Sequence, residues 1–346
     1  LIFNGAQQTG LVDGLIELIV LLAGFFVAWN IGANDTSNCV GAGIGARIIS
    51  YRRAIMIVVL FFLLGATLEG WKNMKTVGEG IVVAAPGGES PLSVVPLATV
   101  AALFSAGVWV LACTIIGLPI STSHSMIGAV IGAGLLITIR MPGLGASLEY
   151  GKLGAIFMSW FLNPAAALFF AYLTYKIIGP LLRKIKNIIL LNQILTVLVI
   201  VASAYGAYAI GANDVGTSTG IIYAYSKGTT DSLTIALFGA IALSVGSIMF
   251  SRRVIKTVGS NITTLDATTA FSAQFGAAFT IWLFVQFALP VSTSHAIVGA
   301  VAGVGLVKGA SSVSKKKVGH IAIAWVLTPV LACLLSFALG WVLLGL

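Results

Sequence analysis

The chain has 346 residues, of which 58% are hydrophobic and only 8% are charged, with a formal net charge of +9. Soluble domains carry about a quarter of their residues charged, so an ordinary soluble protein is excluded. The basic residues lie in short loops between apolar stretches, which is the pattern of membrane orientation and not of nucleic-acid binding.

A helix needs about 20 apolar residues to cross a bilayer. Ten runs of that kind are predicted in chain order: 11–29, 54–70, 96–116, 119–139, 151–178, 188–210, 232–250, 267–289, 291–307 and 318–346. Strands of a membrane barrel would be half as long and alternate in polarity. The expected fold is therefore an all-α polytopic membrane protein, embedded in a lipid bilayer. Cys39, Cys113 and Cys333 are isolated within apolar stretches and read as small buried hydrophobes.

The first segment runs into NIGANDTSNCVGAGIG from Asn30, which places Asn34 and Asp35 in an apolar setting. The second ends at the acidic Glu69, shortly before KTVG at Lys75–Gly78. The fourth opens with LPISTSHSMIGAVIGAG from Leu118, and Asn163-Pro164 interrupts the fifth. The sixth runs into AIGANDVGTSTG, with Asn213 and Asp214, and KTVG recurs at Lys256–Gly259. The eighth follows Asp266 and contains Gln274, the ninth opens with LPVSTSHAIVGAVAGVG from Leu289, and Thr328-Pro329 interrupts the tenth.

Four blocks thus recur in one order, at offsets of 179, 181, 171 and 165 residues. Such order marks a tandem duplication, with 1–187 holding the N-terminal repeat and a short linker and 188–346 the C-terminal repeat. If the segments alternate across the membrane, 14 of the 19 Lys and Arg residues fall on one side. That side is read as cytoplasmic, and both termini then lie outside the cytoplasm. Five segments per repeat is an odd number, so the second repeat is expected to be inverted. Inverted repeats are characteristic of secondary transporters that bind near the midplane. To bring Asp35 and Asp214 to one site, the motif-bearing segments are expected to be broken or re-entrant. Backbone of that kind survives at membrane depth where protein surrounds it.

Intramembrane acids usually mark an ion or substrate path. Asp35 and Asp214, at matching places in two GAND motifs, read as functional rather than as caps. Carboxylate beside amide and hydroxyl oxygen suits a hard cation such as sodium, or a proton. Ser121, Thr122 and Ser123, with Ser292, Thr293 and Ser294, each follow a Pro and open a Gly-rich helix. Free backbone N–H groups, the positive end of the helix dipole and hydroxyl donors together suit an anion. His124 and His295 read as neutral packing or hydrogen-bonding residues beside the site, and His320 as interfacial. Gly128/Gly132 and Gly299/Gly303 read as helix-packing surfaces. Lys75 and Lys256 are expected to snorkel to the interface, with Thr76 and Thr257 as candidate site residues. Glu69 and Asp266 are weaker candidates as intramembrane acids, and Asn163 and Gln274 either reach the cavity or join helices.

Neither GAND nor STSH contains Lys or Arg. An anion held beside two carboxylates would make a net-negative site, which is unfavourable at low dielectric unless cations accompany it. An anionic substrate therefore implies cation symport.

At these residues the chain resembles the inorganic phosphate transporter (PiT) family, whose GANDVANA-like signature occurs in both halves. The copies here are GANDTSNCVG at Gly32 and GANDVGTSTG at Gly211, and the Pro-x-Ser-Thr-Ser-His blocks also look like that family's. The resemblance spans nearly the whole chain. It implies cation–phosphate symport in the cell membrane and a homodimer of inverted-repeat protomers. Phosphate is expected at the two Ser-Thr-Ser runs with Asp35 and Asp214. Sodium is expected at Asn34, Asp35, Asn213, Asp214, Thr76 and Thr257. Proton-coupled phosphate or metal-phosphate symport, or another tetrahedral oxyanion as substrate, is the alternative. A passive channel and a membrane hydrolase using Ser123–His124 or Ser294–His295 fit less well, the latter because neighbouring helical residues point about 100° apart. The chain departs from the signature after GAND, with Thr36-Ser37-Asn38 and Val215-Gly216-Thr217. It also has only Lys176–Lys186 where many members carry a long cytoplasmic segment.

Overall fold

The computed structural model describes residues 7–84, 90–226, 229–261, 266–308 and 315–345. Its helices in chain order are α1 (Gln7–Gly45), α2 (Tyr51–Glu69), α3 (Trp71–Glu79), α4 (Pro91–Val94), α5 (Pro96–Ile116), α6 (Thr122–Arg140) and α7 (Tyr150–Arg183). The second half gives α8 (Ile188–Tyr225), α9 (Ser232–Phe250), α10 (Arg252–Asn261), α11 (Ala267–Gln286), α12 (Thr293–Lys308) and α13 (Lys315–Gly345). Each of the ten apolar segments of the sequence becomes a helix. Among the described residues nine are long and apolar enough to span a membrane, and α12 is shorter. One pair of short antiparallel strands, β1 (Val82–Val83) and β2 (Ser147–Leu148), ties the segment after α3 to the start of α7.

The GAND segments are not broken, contrary to the sequence expectation. Both lie inside continuous helices, α1 of 39 residues and α8 of 38. At 1.5 Å per residue each is about 57 Å long, nearly twice the hydrocarbon core. Hydropathy falls where the polar motif begins, but the helix continues because in a membrane it satisfies its own backbone. The motif glycines serve close approach instead. A side chain on Gly32 would collide with the carbonyl of Leu243, and one on Gly211 with the backbone of Phe62.

The Ser-Thr-Ser blocks follow the turns of two helical hairpins, α5–α6 and α11–α12. The turns are open at Leu118 (45% exposed) and Phe287 (67%), while the blocks beyond them are buried, with Ser121 1% and Ser292 0% exposed. Connections between helices normally run over the surface. Here Gly117 turns the chain in the left-handed region at φ 80°, and Ala288, at the equivalent place, does so at φ 53°. The tips meet inside the protein. Ser123 donates to Val291 O at 2.8 Å and Ser294 to Ile120 O at 2.7 Å.

Packing crosses between the halves. Helix α6 packs on α13 and α12 on α7, while α1 packs on α9 and α2 on α8. The paired glycines are the contact surface that the spacing predicts. Side chains on Gly128 and Gly132 would strike the backbone of Pro329 and Cys333, and on Gly299 and Gly303 that of Pro164 and Leu168. Every such contact has its counterpart with the halves exchanged, as a two-fold relation requires.

Candidate functional site

The site forms where the C-terminal third of α1 and of α8 meets the two hairpin tips. Asn34 clamps the first tip, donating to Thr114 Oγ1 at 2.9 Å and Leu118 O at 3.1 Å, and accepting from Ile120 N at 3.3 Å. Asn213 does the same for the second. It donates to Val291 O at 2.8 Å and accepts from Val291 N at 3.1 Å and from Asn73 at 3.1 Å. The asparagine of GAND therefore fixes the tip backbone through both ends of its amide. As cation ligands, the two Asn side chains would have to use oxygens that already accept N–H groups.

Asp35 and Asp214 are both fully buried, at 0% exposure, and interact with each other directly. The sequence places them in separate motifs 179 residues apart; the fold makes them one cluster. Thr122 Oγ1 donates to Asp35 Oδ2 at 2.5 Å, and Asn38 Nδ2 to Asp35 Oδ1 at 3.1 Å. Asp214 Oδ1 accepts from Asn213 at 2.8 Å, while Asp214 Oδ2 is buried with no hydrogen-bond donor. Among the described residues no Lys, Arg or His forms an ion pair with either, in contrast to Glu69, which is paired with Lys72. Two buried carboxylates side by side, one oxygen lacking a donor, make a site that a cation or a proton would complete.

The hydroxyls divide by role. Ser121 and Ser292 cap α6 and α12, each accepting the backbone N–H three residues on at 3.2 Å. Thr122 and Thr293 face the carboxylates, with Thr293 accepting from Asn38 at 2.9 Å. Ser123 and Ser294 bridge the tips. Two helix N-termini thus converge on the acidic pair, their positive dipole ends facing negative charge.

Asn38 is the residue that sequence reasoning missed. It lies one turn beyond Asp35 and contacts Asp35, Thr293 and Ser294 (3.1 Å) together. Its signal was the three-residue helical spacing. Asn38 also keeps the asparagine of the GANDVANA-like signature, so of the three residues after GAND in this half only Thr36 and Ser37 depart from it.

Thr76 and Thr257 are not hydrogen-bonded to the aspartates. Thr76 donates to Ala288 O at 2.8 Å, and Thr257 to Arg253 O within its own helix at 3.4 Å. Their helices, α3 and α10, pack chiefly on α8 and α1, and each threonine stands against a hairpin turn. Asp266 is a helix N-cap in a reciprocal box with Thr269. Glu69 accepts from Tyr208 (2.6 Å), Trp282 (3.2 Å) and Gln286 as well as Lys72, and so is held by partners other than the site residues. Gln274 joins helices, donating to Cys39 O on α1 at 2.5 Å. Asn163 reaches the second tip, donating to Ser292 O at 2.7 Å. Cys39 and Cys113 are free and buried. The side chain of His320 lies outside the described residues.

The histidines explain the prolines. Pro164 and Pro329 lie inside α7 and α13, and each removes the bond to the carbonyl four residues back. Those carbonyls belong to Trp160 and Trp325. His295 Nδ1 lies 3.3 Å from Trp160 O, and His124 Nδ1 lies 3.2 Å from Trp325 O. An acceptor at that distance assigns the proton to Nδ1. Each imidazole also lies 3.6 Å, centroid to centroid, from the Trp of its own half, stacked for His124 on Trp160 and tilted for His295 on Trp325, and the two imidazoles meet edge-on at 4.4 Å. The four rings lock the hairpins to the proline-bearing helices of both halves.

Comparison with known proteins places these features in context. The model of the phosphate transporter family matches residues 31–336. The chain is 28% identical to the "Putative phosphate permease TK2061" of Thermococcus kodakarensis over 395 aligned positions, covering 92% of this chain and 95% of the relative. A protein of the same description from Pyrococcus abyssi is 28% identical, covering 94% and 98% respectively. The alignments are longer than this chain, so the relatives contain stretches with no counterpart here. Among solved structures, one described as "The sodium-dependent phosphate transporter" superposes with a TM-score of 0.83 at 26% identity, covering 96% of this chain and all of the other.

Proposed function

The chain belongs to the phosphate transporter family, and from that premise we propose that it imports inorganic phosphate by sodium symport. The observation that carries the reading is the buried Asp35–Asp214 pair, with one oxygen lacking a donor, at the meeting point of two helix N-termini. Sodium neutralises the carboxylates, with Asp35, Asp214 and the flanking Thr122 and Thr293 hydroxyls as its ligands. Asn34 and Asn213 hold the tips that shape this seat. Phosphate then takes the hydroxyls of Ser121–Ser123 and Ser292–Ser294 and the N–H groups of the first turns of α6 and α12. Neither ion binds well alone. The anion meets two negative charges without the cation, and the cation's charge is best balanced when the anion is present. That mutual dependence is the coupling.

The sodium assignment is supported by the described sodium dependence of the structural neighbour. A second reading rests on the contact between the two aspartates. Adjacent carboxylates resist double ionisation and can share one proton, which would make the coupling ion H+. Uptake of labelled phosphate into proteoliposomes under a sodium gradient, or under a pH gradient without sodium, separates the two. Uptake at full rate without sodium would overturn the sodium assignment.

A transporter without catalytic activity also accounts for the serines that a hydrolase would need. Ser123 and Ser294 direct their hydroxyls to Val291 O and Ile120 O, across the tips and away from the imidazoles. The two repeats are inverted in this reading. Counting each hairpin as one re-entrant unit or as two crossings, the number of crossings per repeat is odd. The protein sits in the cell membrane with both termini extracytoplasmic and works as a homodimer.

A further inference from the structure

Thr76 and Thr257, the duplicated threonines of KTVG, take no part in the acidic cluster, yet both stand against hairpin turns. They occupy equivalent positions, as do Ala288 and Gly117, but their contacts differ. Thr76 donates to Ala288 O at 2.8 Å. Thr257 Oγ1 instead turns back to Arg253 O at 3.4 Å and makes no bond to Gly117. The turn residues differ as well. Gly117 adopts its left-handed backbone freely, whereas Ala288 at φ 53° holds it against the bulk of its own Cβ. The second tip is thus kept in place by its contacts, and Thr76 supplies one directly on the strained residue.

Above this contact lies a cavity of about 560 Å³. It is lined by Lys72, Lys75 and Lys152 together with Glu79 and Glu149, and by Thr76 and Ala288 themselves. Three residues beyond Ala288, Val291 contacts both Asn213 and Ser123 of the site. One wall is pinned by Lys72, which donates to Gln286 Oε1 at 2.6 Å at the end of α11. In the other half Arg253, the equivalent of Lys72, donates to Ile115 O at 3.0 Å, and Ile115 is the equivalent of Gln286. Both hairpins are therefore tethered by a basic residue, and the threonine bond is made at the second alone.

We infer that this cavity is the antechamber through which the transported ions reach the acidic pair from the outer face, and that the Thr76–Ala288 bond is its door. A lining that mixes lysines and glutamates suits the passage of an anion together with a cation. By the pseudo-symmetry of the halves, the alternate state exchanges this bond for one between Thr257 and the Gly117 carbonyl. The inference rests on the transport reading and on the orientation assigned from loop charge.

The test is the reactivity of a cysteine at Val291 (Val291→Cys) toward a membrane-impermeant maleimide, applied to intact cells and to inverted vesicles. The chain without that substitution gives the background from native cysteines. Thr76→Val in this background should raise labelling from the outer face about fivefold, the population shift given by one hydrogen bond of ~1 kcal/mol. Thr76→Ser should return it to the parent rate, and Thr257→Val should leave it unraised. Unchanged labelling in Thr76→Val, or an equal rise in Thr257→Val, would overturn the inference. The labelling needs no transport. Normal phosphate uptake with indifferent labelling thus refutes the door alone, and Thr76-dependent labelling without phosphate uptake refutes the substrate reading alone.

Discussion

Among the described residues no basic side chain pairs with Asp35 or Asp214, which makes the two acids the candidates for binding an ion. A buried carboxylate paired with Lys or Arg would be a structural ion pair; two without a cation require one from outside. Asp35→Asn and Asp214→Asn should each abolish sodium-driven phosphate uptake while leaving the protein folded, since Asn keeps the shape and removes the charge. Uptake assays on purified variants with matched thermal unfolding check this, and normal uptake in either variant would rule out its role. Asn38 joins Asp35 to Thr293 and Ser294 and so links the first half's acid to the second half's tip. Asn38→Ala should weaken apparent sodium affinity about tenfold, the loss expected for one to two hydrogen bonds to charged or buried groups. Sodium titration of phosphate uptake measures it.

At the scale of the elements, two long helices present the acids, two helical hairpins present the hydroxyls, and two proline-bearing helices hold the hairpins. The crossed bonds from His124 to Trp325 O and from His295 to Trp160 O connect the last two sets. Removing an imidazole leaves a buried carbonyl unsatisfied, at a cost of about 1–3 kcal/mol. His124→Ala should therefore lower the unfolding temperature, and Pro329→Ala added to it should recover part of the loss. Alanine at 329 restores the N–H that can bond Trp325 O along the helix. Additive losses in that double-mutant cycle would contradict the assignment. Packing gives a parallel expectation. Gly128→Leu and Gly299→Leu place side chains against the backbone of Pro329 and Pro164, where overpacking costs about 1–3 kcal/mol or more. Both should lose stability in thermal unfolding.

In the whole molecule, each half contributes one acid, one hairpin and one proline-bearing helix, and each packs its hairpin helix on the other half. A single repeat would expose α6 and α12 on the faces that now meet α13 and α7. The halves should therefore not fold or transport when expressed separately, and co-expression of 1–187 with 188–346 should restore uptake. The inverted reading predicts that cysteines at Lys152 and Lys184, at the two ends of α7, react with impermeant reagents from opposite faces. Reaction of both from one face would exclude that topology.

Composition and hydropathy sufficed for the ten apolar helices, because a bilayer demands about 20 apolar residues from every crossing helix wherever it stands in the chain. They did not suffice for the length of α1 and α8 or for the short α3, α4 and α10. The duplication was also legible. GAND and STSH are polar islands in apolar surroundings, and their recurrence in order singles out the side chains that the fold brings together around Asp35 and Asp214. The path of the backbone through those islands was decided by the tertiary structure. GAND looks like a break because polar residues and glycines lower the hydropathy there. Leu243 and Phe62 instead need the glycines for close crossing, so the helix runs on. Thr76 shows the same limit. Its spacing from Lys75 and Gly78 repeats faithfully at Thr257, yet whether it meets the acids or a hairpin turn depends on where α3 lies against α11. Asp35 and Asp214 are separated by 179 residues, and only the meeting of α1 with α8 makes them one site. Local physics thus settles what each segment is, while contact between segments distant in sequence settles what its polar residues do.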